Sequence, residues 1–209
     1  GRITSSQRNA IENHGDKWII KLQKPANVES FFKKRANVTL EIGFGMGDTL
    51  INSAGENPTD NFIGIEVYKS GIGRVLNKIE ELGIKNIRLI EGDAVEINKN
   101  IFVDNSFKNI HLFFPDPWPK KKHHKRRIIQ KSFVDSIANN LMISGCFHCA
   151  TDNENYAEQM LTALTDCKHL TNLADGFSKR PADRVVSKFE KRALDSNRKI
   201  FNLSFIKEM

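Results

Sequence analysis

No apolar run in the sequence approaches the roughly 20 residues a membrane-spanning helix needs, which excludes a helical span. Three cysteines in 209 residues are too few, and odd in number, for a disulfide framework. Two of them, Cys146 and Cys149, form a C-x-x-C inside Ser144-Gly145-Cys146-Phe147-His148-Cys149-Ala150-Thr151. That stretch reads as a buried strand, where residues three apart face opposite sides of the sheet and cannot share a metal. His111, His123, His124 and His148 show no metal-ligand spacing either, so no metal is expected. The N-terminus, Gly1-Arg2-Ile3-Thr4, has no apolar signal-peptide core, and the expected location is the cytoplasm. Acid is in deficit: 25 Asp and Glu stand against 32 Lys and Arg, a net charge of +7. That balance favours a polyanionic partner, nucleic acid before membrane.

The length suits a single domain, residues 1–209, with a sizeable core, and no repeat, low-complexity tract or linker interrupts it. Residues 1–35 are basic and weakly patterned, and are expected to form an arm or a helix packing across the site. From about residue 36, short apolar runs alternate with amphipathic stretches. Strands are predicted at Val38–Ile42, Phe62–Glu66, Asn86–Glu91, Phe107–Phe114 and Gly145–Ala150. Helices are predicted at Asp48–Glu56, through Ile72, Val75, Leu76, Ile79 and Leu82 to a stop at Gly83, along Ile128–Leu141, and at Asn153–Leu164. Phe201-Asn202-Leu203-Ser204-Phe205 alternates as a half-solvated antiparallel strand does. The alternation predicts a doubly wound, mostly parallel α/β sheet with a C-terminal antiparallel hairpin.

After the first strand stands Glu41-Ile42-Gly43-Phe44-Gly45-Met46-Gly47, then Asp48. Glycines at such a turn allow positive φ and close backbone approach. A dinucleotide fingerprint needs Gly or Ala at position 48, where pyrophosphate meets the helix N-terminus; Asp48 would repel it. The pattern suits a ligand that lacks phosphate and carries positive charge, and S-adenosyl-L-methionine fits. Glu66, ending the second strand, stands where a carboxylate accepts from ribose hydroxyls. Asp93, after the third strand, can accept from an adenine amino group. Helix caps and turns also favour Asp, which is the competing explanation.

The substrate end is Phe113-Phe114-Pro115-Asp116-Pro117-Trp118-Pro119, followed at once by Lys120, Lys121, Lys122, His123, His124, Lys125, Arg126 and Arg127. Asp116 follows the fourth strand and so faces the same crevice as the cofactor. A carboxylate clamped between prolines beside an indole suits a flat nitrogenous base, and the cations suit its phosphates. Trp118 either stacks on that base or supports the turn. The basic run is expected to open a core helix, where its charge would oppose the macrodipole and call for an anionic ligand. Thr151-Asp152-Asn153 puts another acid on the rim, and Arg180–Arg184 with Ser187–Glu190 adds hydrogen-bonding groups. From its neighbours alone, Glu190 reads as an exposed carboxylate paired with Lys188 or Lys191.

Taken together these motifs resemble the bacterial tRNA (guanine-N(7)-)-methyltransferase family from about residue 36 to the C-terminus. The likeness rests on Leu40–Gly47, Gly64-Ile65-Glu66-Val67, Leu112–Trp118, Lys125-Arg126-Arg127-Ile128, Ala150-Thr151-Asp152 and Lys188-Phe189-Glu190. It implies a Rossmann-like class I methyltransferase fold, S-adenosyl-L-methionine as cofactor and methylation of a guanosine in the variable loop of tRNA. It implies that Glu41, Gly43, Gly45, Gly47, Glu66 and Asp93 hold the cofactor and that Asp116 is catalytic. Lys120, Asp152, Ser187, Lys188, Phe189 and Glu190 would meet the substrate, with Trp118, Lys125, Arg126 and Arg127 as supporting tRNA contacts. The family usually has Thr where Ser187 stands and Gly where Ala193 stands. The expected partner is tRNA, on a monomer or homodimer. Two other readings stay open: a base amino-group methyltransferase, and a non-catalytic RNA-binding module of the same fold.

Overall fold

The structure, a computed structural model, describes residues 2–181 and 184–208, with the backbone alone at Lys188 and Phe189. In chain order the elements are α1 (Ser5–Trp18), β1 (Val38–Ile42), α2 (Asp48–Glu56), β2 (Asn61–Glu66), α3 (Lys69–Leu82), β3 (Ile87–Glu91) and α4 (Ala94–Asn100). Then follow β4 (Phe107–Phe113), α5 (Lys131–Asn140), β5 (Leu141–Thr151), α6 (Glu154–Thr165), β6 (Leu170–Asn172), α7 (Lys188–Asp195) and β7 (Phe201–Lys207). The described strands form one seven-stranded sheet ordered β3-β2-β1-β4-β5-β7-β6. Pairing is parallel from β3 to β5, and β7 runs antiparallel to both β5 and β6. The alternating tail is thus the strand inserted between β5 and β6.

Strand alternation sorts the core onto two faces. Val38, Leu40 and Ile42 of β1 pack with Ile137, Tyr156 and Met160 on the face covered by α4, α5 and α6. On the other face Phe44, Leu50, Phe62, Ile72 and Leu76 pack under α1, α2 and α3. The same alternation sends Glu41 to this second face, beneath the turn that follows its own strand. Gly83 ends α3 in the left-handed conformation, φ 66°, as the sequence predicts.

Two expectations fail. Residues 2–35 do not cross the site: α1 lies along α3, with Asn77 Nδ2 donating to Ser6 Oγ at 3.1 Å, and the chain then joins the β3 edge through Ile20 N–H to the Leu89 carbonyl. An amphipathic helix next to an uncovered sheet edge buries more apolar surface there than over a polar crevice. Nor does the basic run open a helix. Lys121–Arg126 makes a 3₁₀ turn, and α5 starts only at Lys131. Ile128 and Ile129 are apolar because they sit in a packed loop, and Ile129 is fully buried.

Candidate active site

Parallel pairing carries the ends of β1, β2, β3 and β4 to one edge of the sheet. A cleft of about 460 Å³ opens there, lined by Gly43, Glu66, Asp93, Asp116, Trp118, Lys125 and Arg126 among others. Gly43, Gly45 and Gly47 all take positive φ (66°, 57° and 78°), so the turn needs glycine at each. A Cβ at Gly47 would overlap Val75 of α3, which fixes how closely the turn sits on that helix.

The acids are held differently. Glu66 Oε2 accepts the Gly45 N–H at 2.8 Å, and Oε1 accepts the Val67 and Tyr68 N–H groups at 2.8 and 3.0 Å. One carboxylate therefore ties the glycine turn to the end of β2. Asp93 caps α4, with Oδ1 accepting from Val95 N–H at 2.8 Å, so the competing explanation by helix capping is real at this position. Its other oxygen takes no part in that cap. Asp48 pairs with Arg74 at 2.6 Å, and Arg74 also donates to the Met46 carbonyl. Arg74, a helix residue far along the chain from the turn, carried no signal in the sequence.

Glu41 is 5 % exposed and its carboxyl accepts no hydrogen bond among the described residues. Burial, reinforced by the nearby Asp48, lifts its carboxyl from the ordinary 4.5 to about 8. An unpaired buried acid under a left-handed glycine turn, with acids beyond it and the Arg74 guanidinium already taken up by Asp48 and the Met46 carbonyl, is a donor set for a cationic ligand without phosphates. A dinucleotide does not fit it. The residues present fit the sulfonium cofactor expected from the sequence.

On the other wall, Asp116 is exposed and its Oδ1 accepts the Trp118 N–H at 3.0 Å, an Asx turn that fixes the carboxylate. Phe114 and Trp118 hold left-handed backbone, φ 53° and 42°, so this turn stores strain at the cleft. The Arg126 guanidinium lies 4.9 Å from the Trp118 ring centre and His123 meets the ring edge-on at 5.8 Å. Trp118 thus packs against two residues of the basic run and also lines the cleft.

Arg127 corrects the reading of the basic run. It is 3 % exposed: Nε donates to the Pro117 carbonyl at 2.8 Å, and the guanidinium reaches Gln159 Oε1 at 2.6 Å and Asn155 Oδ1 at 2.9 Å. Its centre lies 4.7 Å from the Tyr156 ring. Arg127 is therefore no phosphate contact; it clamps the Pro-Asp-Pro-Trp turn to α6. Lys120, Lys125 and Arg126 remain exposed.

The segment before α7, with Asp152, does not line this cleft; its Pro181 and Arg184 line a neighbouring pocket with His111, Phe113 and His148. Ser187 caps α7 by accepting the Glu190 N–H at 3.2 Å. Glu190 is fully buried, not exposed, and its Oε1 pairs with Arg180 and Arg184 at 2.7 Å each. Arg184 in turn lies 4.8 Å from the Phe113 ring centre, tying this segment to the end of β4. Asp152 is ion-paired with Arg198. The side chains of Lys188 and Phe189 lie outside the described residues. Cys149 and Cys146 both sit on β5, Cys149 buried and its thiol pushed up by burial, away from thiolate chemistry. His111 and His148 are neighbours beneath the sheet, 5.5 Å apart, with burial driving His111 down to about 3.

Comparison with known proteins fits this geometry. Residues 35–203 match the family described as putative methyltransferase. The tRNA (guanine-N(7)-)-methyltransferase of Bordetella pertussis is 44% identical over 206 residues, covering 98% of this chain and 81% of that one. The chain belongs to the tRNA (guanine-N(7)-)-methyltransferase family. Another member, from Francisella philomiragia, is 43% identical over 209 residues, covering 99% of this chain and 91% of its own. Among solved structures the aminoglycoside resistance methyltransferase NpmB1 matches with a TM-score of 0.63 at 12% identity, covering 88% of this chain and 95% of that one, a likeness of fold.

Two outcomes are expected. Glu41 is protonated in the folded chain and ionised in the unfolded one between its ordinary 4.5 and about 8, so it makes stability fall as pH rises through that window. Thermal melts of the ligand-free protein should therefore lose less stability across the window in Glu41→Gln than in wild type; parallel curves would show the carboxyl is not buried in this way. Arg127→Lys, which cannot reproduce the planar fork, should cost about 3 kcal/mol or more in chemical denaturation, as breaking a buried charged network does. A loss within experimental error would remove the clamp.

Proposed function

We propose that this chain transfers the methyl group of S-adenosyl-L-methionine to N7 of a guanosine in the variable loop of tRNA, in the cytoplasm. What carries the reading is that one cleft joins the glycine turn and the acids Glu66 and Asp93 to Asp116, Lys125 and Arg126. No helix among the described residues is long and apolar enough to cross a membrane.

The cofactor residues in this reading are Glu41, Gly43, Gly45, Gly47, Glu66 and Asp93. When bound, the cofactor supplies an electrophilic methyl on its sulfonium. A cation above Glu41 would stabilise the carboxylate form, so binding should release a proton below about pH 8.

N7 of guanine bears a lone pair and no proton, so the chain need not supply a base to make the nucleophile. Its task is alignment. Methylation leaves the purine cationic and acidifies its N–H groups, and a carboxylate on the Watson–Crick edge stabilises that developing charge. Asp116 suits this role: one oxygen is occupied by the Trp118 N–H, which fixes the side chain and leaves the other to accept from the base. The base must leave its stack to enter, as in other enzymes acting on nucleic-acid bases. Lys120, Lys125 and Arg126 then hold flanking phosphates, while Asp152 and Ser187–Glu190 meet the tRNA outside the cleft. Glu190 acts in this scheme by fixing Arg180 and Arg184.

Asp116→Ala should lower kcat for tRNA methylation by about 100-fold or more, on the scale of losing one preorganised partner of developing charge, with tRNA binding little changed. A near-wild-type rate would remove Asp116 from catalysis. Lys125→Ala combined with Arg126→Ala should raise the tRNA KM by a larger factor than it lowers kcat; an unchanged KM would show that phosphates are held elsewhere.

A further inference from the structure

A second positively charged surface lies at the opposite end of the sheet, where β2 and β3 begin. A groove of about 760 Å³ runs there between Trp18, the C-terminal half of α3 and Phe32–Lys34. Its floor is built around Arg88, whose guanidinium lies 5.0 Å from the Trp18 ring centre and 5.1 Å from that of Phe32. Arg88 also donates to the carbonyls of Ile87 at 2.7 Å and Lys85 at 3.2 Å, so its charge is fixed in place.

Lys17, Lys33, Lys34 and Lys85 stand around this floor. Glu80 is the acid that lines the groove, and its Oε1 already accepts from Lys17 at 2.9 Å and Trp18 Nε1 at 2.5 Å. Lys33, Lys34 and Lys85 are exposed and make no ion pair among the described residues. Like charges gathered around a concave surface repel one another, and a bound polyanion relieves that repulsion.

The occupant that fits is a phosphodiester chain. Trp18 is 5 % exposed and the partly buried Phe32 ring already carries the Arg88 guanidinium at 5.1 Å, so the groove offers little aromatic face for base stacking or membrane insertion. It reads charge and shape, not sequence, as contacts to a duplex backbone do. Along β3 the strand rises about 3.3 Å per residue, which puts Arg88 roughly 10 Å from Glu91 at the cleft end. One duplex held at the cleft can therefore extend to this groove.

We propose that this groove is a second tRNA contact, gripping backbone phosphates of a duplex arm that flanks the methylated loop. The proposal rests on tRNA being the substrate. It gives part of the net charge of +7 a use that the catalytic cleft does not account for.

The test is Lys33→Ala/Lys34→Ala/Lys85→Ala in the full chain, with Arg88 and Trp18 untouched. Binding is measured over a range of salt to whole tRNA and to a hairpin carrying only the target loop and its own short stem. Wild-type methyl transfer to the same tRNA is scored alongside. The expected result is a Kd for whole tRNA raised at least about tenfold at moderate salt, with the log–log salt slope reduced by about 2 to 3, close to 0.9 per phosphate lost. Hairpin binding, cofactor affinity and kcat at saturating tRNA should stay at wild-type values, and Lys→Arg at the same positions should restore whole-tRNA binding. An unchanged Kd and slope for whole tRNA, or an equal loss on the hairpin, would overturn the proposal. So would an equal loss of affinity for poly-glutamate, which would assign the groove to acidic protein. Wild-type protein that binds tRNA but transfers no methyl would instead defeat the reading of the active site and leave the groove standing.

Discussion

Parallel strand pairing is the constraint on which the site depends. Because β1 pairs in parallel with β2 and β4, and β2 with β3, four strands end at one edge, and whatever residue follows each of them is delivered to the same cleft. Glu66, Asp93 and Asp116 are far apart in the chain and meet only for that reason. Such a concentration of acid is unfavourable in itself, and the surrounding structure offsets it group by group. Glu66 takes three backbone N–H groups, Asp93 caps a helix, Asp116 closes its own turn, and Asp48 takes Arg74. Glu41 alone among them is left buried without such a partner, and it remains protonated as a result.

The cations divide in a complementary way. Arg127 and Arg184 are turned inward, each between an aromatic ring and hydrogen-bond acceptors; Arg127 fixes the turn that carries Asp116, and Arg184 ties the segment before α7 to the end of β4. Lys120, Lys125 and Arg126 stay in solvent, where long flexible side chains can follow a phosphate backbone. Neighbouring residues of one basic run are thus placed differently: Arg127 holds the strained Pro-Asp-Pro-Trp turn, and the other Lys and Arg side chains stay in solvent. Without the inward arginines the turn carrying Asp116 would lack its fixed position against α6 and the segment before α7.

Local pattern was enough to read most of this fold. The bounds of β1 and α2 follow from an apolar run closed by glycines and an amphipathic stretch ending before Pro58, and the structure has the same bounds. The glycine turn was legible because its left-handed φ values demand glycine. What escaped depends on partners distant in sequence. A run of cations cannot say which one turns inward; Arg127 does so because Asn155, Tyr156 and Gln159 of α6 await it about thirty residues on. Glu190 looked solvent-exposed because lysines flank it, while its true partners, Arg180 and Arg184, arrive from the preceding loop. The N-terminal helix was misplaced because its weak amphipathic pattern shows that it packs, not where.

The most direct measurement is methyl transfer from labelled S-adenosyl-L-methionine into bulk tRNA lacking modification, followed by digestion and identification of the labelled nucleoside. The expected product is N7-methylguanosine as the labelled nucleoside. Label on an exocyclic amine of any base, or no label in tRNA at all, would contradict the central claim.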